Sequence, residues 1–235
     1  DAVDVRFEMA GRAFVAIDTA GLRRRKSFSG DVEYYAYHRM LQAVRRSDVV
    51  VFLIDATRKI SHVDRKLAQE LQRQYKPTVL VLNKWDLVPE GTDPEEFGEY
   101  LTRELRGFDY APIVLVSAES AEGIEDVVSM AFNLREQAAH RETTGKLNAI
   151  IESILKQRGP SSRLGTQAKL LYVSQVAVDP PTIAMVVNDP KLFEGRYERY
   201  LMNRLREEMP YSEVPIRLLF SKRTRKSLQD LKTRQ

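Results

Sequence analysis

Val49-Val50-Val51-Phe52-Leu53-Ile54 is apolar at every position, too short a run for a lone helix and too uniform for a strand with one wet face. It predicts a strand of a parallel sheet buried on both sides. Val79-Leu80-Val81-Leu82, entered through Pro77-Thr78, and Ile113 to Val116 repeat the pattern. Helical spacing lies between and beyond these runs. Ser61-x-x-Asp64 resembles a capping box, with Val63, Leu67 and Leu71 on one face. A helix is expected around 93–106, and another carries Ile124, Val127, Val128, Ala131 and Leu134. Strands alternating with helices predict an α/β unit, a mainly parallel sheet with helices on both faces. Upstream, residues 2–9 alternate, turn at Ala10-Gly11 and resume at Ala13–Ile17, a hairpin whose second strand reads as the more buried. Helical spacing through Val32, Ala36, Met40, Ala43 and Val44 follows.

From about Thr143 the pattern changes. A helix (Leu147, Ile150, Ile151, Ile154, Leu155) leads to strands at 168–178 and 182–187, a helix at about 194–209 with Tyr197, Leu201 and Leu205 on one stripe, and a strand at Ile216–Phe220. That order predicts a small α+β unit with a three-stranded sheet. The expected division is 1–140, 141–221 and a basic, disordered tail at 222–235. Charge divides in the same place. Residues 1–142 carry 20 Lys and Arg against 24 Asp and Glu, while residues 143–235 carry 17 against 9, so the net +4 hides a basic second half. Such a half suits a polyanion, with chance surface variation as the plain alternative. The absence of cysteine excludes disulfides and thiolate metal sites and fits a reducing compartment. No apolar run is long enough to span a bilayer, so a cytoplasmic protein without membrane contact is expected.

Three short motifs fall at predicted strand ends, where ligands of such sheets bind. Asn83-Lys84-Trp85-Asp86 follows the strand ending at Leu82. The Asp86 carboxylate only accepts hydrogen bonds, so it can take both the N1–H and the 2-amino protons of guanine. Adenine offers no such pair and would leave that carboxylate unpaired. The Asn83 amide can bridge base and neighbouring loop, and the Lys84 stem can cover the base. A polar turn after a strand is the plain alternative for the tetrad alone. Asp18-Thr19-Ala20-Gly21 follows the second hairpin strand. Asp18 there can hold Mg²⁺ through water, and Gly21 lets a backbone N–H approach a γ-phosphate. Ser117-Ala118 follows the strand ending at Val116, small enough for a backbone N–H to meet guanine O6.

In this order the motifs resemble the third, fourth and fifth signature elements of translation-factor-class P-loop GTPases. The run Asp18–Lys26, the run Asp48–Thr57 and Phe108–Ile113 resemble the second GTPase domain of the Der (EngA) family. Val187-Asn188-Asp189-Pro190, Tyr197–Leu201 and Pro215-Ile216-Arg217 resemble that family's KH-like domain. The resemblance covers essentially the whole chain. It implies a P-loop GTPase-like sheet, with first strand and P-loop absent, followed by a KH-like domain. It implies GTP and GDP as ligands, with Mg²⁺ and K⁺. The nucleotide contacts it implies are Asp18, Thr19, Ala20, Gly21, Leu22, Asn83, Lys84, Trp85, Asp86, Ser117 and Ala118, Asp18 also serving the metal. Its implied partners are the large ribosomal subunit with its RNA and an upstream GTPase domain of the same chain.

Two departures shape the expectations. No G-x-x-x-x-G-K-[ST] precedes the hairpin, and the sequence opens at Asp1 inside a strand, so it reads as a fragment or lacks its upstream part. We expect no GTP hydrolysis from these residues alone and hydrolysis by the intact protein. Leu22 stands where some GTPases place a water-orienting glutamine, so no side chain is assigned as general base; the resemblance implies help from potassium and the first switch. Arg23-Arg24-Arg25-Lys26 in the second switch, and Lys222, Arg223, Arg225 and Lys226 in the tail, are candidate RNA contacts, since the KH-like unit lacks the G-x-x-G clamp. The competing readings are a non-enzymatic RNA-binding or interaction module with a vestigial nucleotide fold, and an Era-like GTPase.

Overall fold

The computed structural model describes residues 3–9, 11–18, 31–160 and 167–222. Contacts divide the chain into Asp1–Arg135 and Glu136–Gln235.

The first unit opens with β1 (Val3–Met9) and β2 (Arg12–Asp18), an antiparallel hairpin that forms a sheet of its own. Phe7 lies opposite Phe14 and their rings stack at 5.6 Å. Phe14, Ala16 and Ile17 are half-buried while Val5 and Phe7 are exposed, so the second strand is the better covered. Helix α1 (Asp31–Arg46) follows, and the Lys76 ammonium closes its end by donating to Arg45 O (2.9 Å) and Ser47 O (2.6 Å).

Three parallel strands make the main sheet in the order β3 (Val50–Asp55), β4 (Thr78–Asn83), β5 (Ile113–Val116). Helices α2 (His62–Arg73), α3 (Pro94–Glu104) and α4 (Ile124–Ala139) alternate with them. Ser61 caps α2 in a reciprocal box with Asp64, as the sequence predicts. One core joins Met40, Leu41 and Val44 of α1, Ala68 and Leu71 of α2 and Leu101 of α3 to Phe52, Ile54, Leu80 and Leu82. His38 of α1 and His62 of α2 lie exposed on the helix surface.

The apolar run at 49–54 is buried on one face only. Phe52 and Ile54 are covered, whereas Val51 is 43% and Leu53 63% exposed. Hydrophobicity reports a capacity for burial, and β3 is the edge of this sheet. Central β4 is covered throughout, with Val79 and Val81 at 0–1%.

In the second unit, α5 (Thr144–Gln157), β6 (Leu170–Ala177), β7 (Thr182–Val187), α6 (Arg196–Glu208) and β8 (Arg217–Lys222) follow the expected order. The sheet runs β6-β7-β8, antiparallel then parallel. The Tyr197, Leu201 and Leu205 stripe is core, with both leucines at 0% exposure. The segment leading into α5 is knitted to this unit by Gln175, 5% exposed on β6. Its Oε1 accepts from Glu142 N (2.7 Å) and Tyr211 Oη (3.5 Å), and its Nε2 donates to His140 O (2.8 Å) and Ala177 O (3.3 Å). Burial pushes the Tyr211 phenol up, so the hydroxyl stays a donor. Gln137 of α4 adds a reciprocal pair with Glu213, at 2.8 and 3.0 Å.

Candidate functional site

The carboxyl ends of β3, β4 and β5 lie side by side, with Asp55 opposite Asn83 and Asn83 opposite Val116. Each strand is an apolar run, so the first polar residue beyond each emerges at one edge. Chain direction places Asp55, Asn83-Lys84 and Ser117-Ala118 together there.

Asn83 joins two of the motifs. Its Oδ1 accepts from Lys84 N (2.8 Å) and from Ala118 N (3.1 Å), tying the loop after β4 to the loop after β5. Of the bridge between base and neighbouring loop expected of the Asn83 amide, the loop side is made by its oxygen, leaving Nδ2 with no partner among the described residues. The same bond occupies the Ala118 N–H.

Lys84 has φ 63° and ψ 36°, the left-handed region that a side chain with a Cβ rarely adopts. This turns the chain sharply from β4 into the 3₁₀ turn Trp85–Leu87, closed by Leu87 N on Lys84 O at 3.1 Å. The Trp85 ring packs edge-on against Phe97, centroids 5.6 Å apart, and lies partly buried on the main core. Trp85 thus anchors the turn. Asp86 is exposed and makes no hydrogen bond or ion pair among the described residues. A carboxylate at the tip of an anchored turn, with both oxygens free, can accept two parallel N–H donors.

Asp55 is the residue that sequence reasoning missed. Its Oδ2 receives the Lys84 ammonium at 3.0 Å, and its Oδ1 accepts from Thr57 N (3.1 Å) and Oγ1 (2.6 Å). The Thr57 hydroxyl bond, with Lys84 adding to it and partial burial opposing, holds the carboxyl at about 2. The charged carboxylate steers the Lys84 side chain along the strand ends. The signal was available: Asp55 terminates its apolar run as Asn83 does the next.

The loop after β5 is fixed by its own contacts. Ser117 is 3% exposed, its N–H donates to Glu122 O (3.1 Å), and its Oγ accepts from Ser120 N (3.3 Å). Gly123 ends the loop at φ 77°, where a Cβ would lie 2.3 Å from Leu115 O, so no larger residue fits without displacing β5. Ser117 is thus a structural closure, and exposed Ala118 faces the edge.

Asp18 ends β2, in the hairpin sheet, so backbone pairing does not join it to the other strand ends. Thr19, Ala20, Gly21, Leu22 and the run Arg23, Arg24, Arg25, Lys26 lie outside the described residues, as do Arg223, Arg225 and Lys226. Lys222 is the exposed last residue of β8. Among the described residues no cluster of three or more His, Asp or Glu could hold a metal, and no helix is long and apolar enough to cross a membrane. The edge thus offers an uncommitted carboxylate on Asp86 and an uncommitted amide nitrogen on Asn83 among the described residues.

Comparison with known proteins finds two matched regions. The family described as "50S ribosome-binding GTPase" matches residues 1–84, and the one described as "KH-domain-like of EngA bacterial GTPase enzymes, C-terminal" matches 141–221. GTPase Der of Rhodopirellula baltica is 39% identical over 225 residues, 96% of this chain and 50% of its own length. GTPase Der of Ruminiclostridium cellulolyticum is 35% identical over 228 residues, 97% of this chain and 52% of its own. The crystal structure of Era in complex with MgGDPNP and nucleotides 1506-1542 of 16S ribosomal RNA is 17% identical, with TM-score 0.47 over 94% of this chain and 80% of that one, too distant to bear on function. The chain spans about half the length of the curated relatives it matches. Paired strand ends, a KH-like second unit and relatives matched along nearly the whole chain place it in the Der (EngA) family of GTPases.

Proposed function

We propose that this chain is the guanine-reading and KH-like part of a cytoplasmic GTPase acting in assembly of the large ribosomal subunit, where nucleotide state sets domain arrangement and with it affinity for ribosomal RNA. The observation carrying this reading is the Asn83 Oδ1 bond to Ala118 N. It locks the Asp86 turn beside the loop after β5, so that a base lying along the strand ends meets a free carboxylate. Asp86 takes the N1–H and 2-amino protons of guanine, the Asn83 Nδ2 donates to the base, and the stem of Lys84, steered by Asp55, covers its face. Asp18, Thr19, Ala20, Gly21 and Leu22 serve the phosphate side, Asp18 through Mg²⁺-bound water, and K⁺ supports hydrolysis. Mg²⁺ supplies charge neutralisation on the phosphates when bound.

Several features support this assignment. The matched family's description names the 50S ribosome, the relatives are named GTPases and are about twice as long, and the second half of the chain is basic. An upstream GTPase domain of the same protein is part of the proposal. The 235 residues hold no G-x-x-x-x-G-K-[ST], so we expect the chain by itself not to hydrolyse GTP.

The test is base preference. In the intact protein, Asp86→Asn should shift binding from GDP toward xanthosine diphosphate, because an amide can donate to the 2-carbonyl that replaces the amino group. A shift of about a hundredfold or more in the ratio of the two dissociation constants is expected. An unchanged ratio removes Asp86 from the site and leaves the interaction-module reading.

A further inference from the structure

We propose that the corner where α5 ends and α6 begins is a contact surface for the phosphate backbone of RNA, anchored by Arg158. This names a surface for the RNA contact proposed above and rests on that reading. It is separate from the switch and tail residues to which sequence alone pointed.

The corner is built, with its pieces held together. Tyr197 Oη donates to Arg158 O at 2.7 Å, pinning the end of α5 to the first turn of α6. The Arg158 guanidinium carbon lies 5.2 Å from the centroid of the Tyr200 ring, and the Tyr197 and Tyr200 rings are 5.5 Å apart. A guanidinium seated on a ring spends its face on the stack and keeps its N–H edges for a partner. Those edges make no hydrogen bond or ion pair among the described residues. Two parallel N–H donors on a fixed plane match two phosphate oxygens.

The surrounding cations form no ion pairs among the described residues, although Glu198 shares the first turn of α6. Lys156 stands in the last turn of α5, and Arg196 and Arg199 in the first turn of α6, all exposed and without an ion pair among the described residues. Arg196, Arg199 and Tyr200 share one helix face by their spacing of three and four, away from the buried Tyr197–Leu201–Leu205 stripe. Cations in a first turn oppose the helix dipole, so local stability does not explain them. Farther along the same helix Arg204 is neutralised, paired with Glu207 and, at 3.2 Å, with Glu208. In the first unit Arg46, Arg65 and Arg135 are likewise paired with Asp4, Glu104 and Asp48. Unpaired cations gathered around a pre-oriented guanidinium are what a string of phosphates can exploit by counterion release.

The test uses the 235-residue chain and a short fluorescein-labelled single-stranded RNA of mixed sequence, followed by anisotropy between about 50 and 200 mM salt. Each phosphate contact accounts for roughly threefold of the affinity lost over that range, so Arg158→Ala with Arg196→Ala and Arg199→Ala should flatten the log–log salt slope by about 2, shrink the salt-induced loss about 30-fold, and weaken binding at the lower salt by at least about tenfold. A control removes the same charge elsewhere in the unit, through Arg204→Ala, Arg206→Ala and Arg217→Ala, and should cost less than about threefold. Tyr200→Leu should weaken binding about threefold by unseating Arg158, and Tyr200→Phe should restore it. Circular dichroism and thermal midpoints establish that each variant is folded.

If the control triple loses as much as the corner triple, net charge rather than this surface binds RNA, and the inference falls while RNA binding stands. If the unaltered chain binds no RNA, both fall. If a polyglutamate peptide of equal charge competes as well as unlabelled RNA, the surface is one for acidic protein and the RNA assignment is wrong.

Discussion

Two side-chain amides bridge loops in this protein, and they differ in what they leave over. Gln175, in the second unit, uses both ends: two donors reach its oxygen and its nitrogen reaches two carbonyls, all on a residue 5% exposed. Asn83, at the end of β4, spends its oxygen on Lys84 N and Ala118 N and keeps its nitrogen unused among the described residues. A saturated buried amide is a fastening. A half-used amide at a sheet edge, beside a carboxylate with free oxygens, is a fastening with a ligand-facing side. The difference teaches where to look for the site: in the polar groups the fold fixes without satisfying.

That contrast can be broken by substitution. Gln175→Leu strands an N–H, a hydroxyl and two carbonyls together, and should lower the stability of the second unit by about 3 kcal/mol in urea unfolding. A loss near zero would mean water satisfies those groups and Gln175 is no fastening. Asn83→Ala frees two backbone N–H groups at a more open place and should cost about 1.5 kcal/mol. Trp85 is the only tryptophan in the chain, so its emission reports whether the turn has loosened.

Acid should act on both units with the same sign and a smaller effect. The Lys146 ammonium at 2.7 Å, with the Thr143 N–H and His140 adding to it against partial burial, holds the Glu142 carboxyl at about 2. A depressed carboxyl contributes stability that is complete above its unfolded value, near 4.5, and lost as pH falls through about 2. Glu142→Gln should therefore lower stability by about 1 kcal/mol at neutral pH, discounted because Lys146 is half exposed, and the gap should close in that window. A gap that persists unchanged to the bottom of the window would show that packing, not charge, is responsible. Asp55, held at about 2 chiefly by Thr57, follows the same sign in the first unit.

The smallest effect sharpens the comparison most. Asp86 has no partner among the described residues, so Asp86→Ala should change stability by less than about 0.5 kcal/mol while removing guanine preference. A clear loss of stability would make Asp86 part of the turn's framework.

Much of this was written in the chain order. The apolar runs ending at Ile54, Leu82 and Val116 specify strands, the Ser61–Asp64 box sets the start of α2, and the basic second half announces its own unit. Asn83-Lys84-Trp85-Asp86 was legible because it is contiguous, so its spacing survives any fold. Asp55 was not, because its meaning arises only when parallel pairing sets it opposite Asn83, within 3.0 Å of Lys84 through its side chain. Gln175 and Arg158 escaped for the same reason: their partners lie some thirty-odd to forty residues away in sequence.

Sequence by itself determined the elements, their order and the contiguous Asn83–Asp86 tetrad, since local spacing and propensity act over a few residues. Tertiary structure alone decided three things. It bared Val51 and Leu53, gave the hairpin a sheet of its own, and brought Asn83 to Ala118 and Arg158 to Tyr200. Burial and hydrogen-bond satisfaction are properties of neighbours, and which residues become neighbours is settled only when distant segments pack.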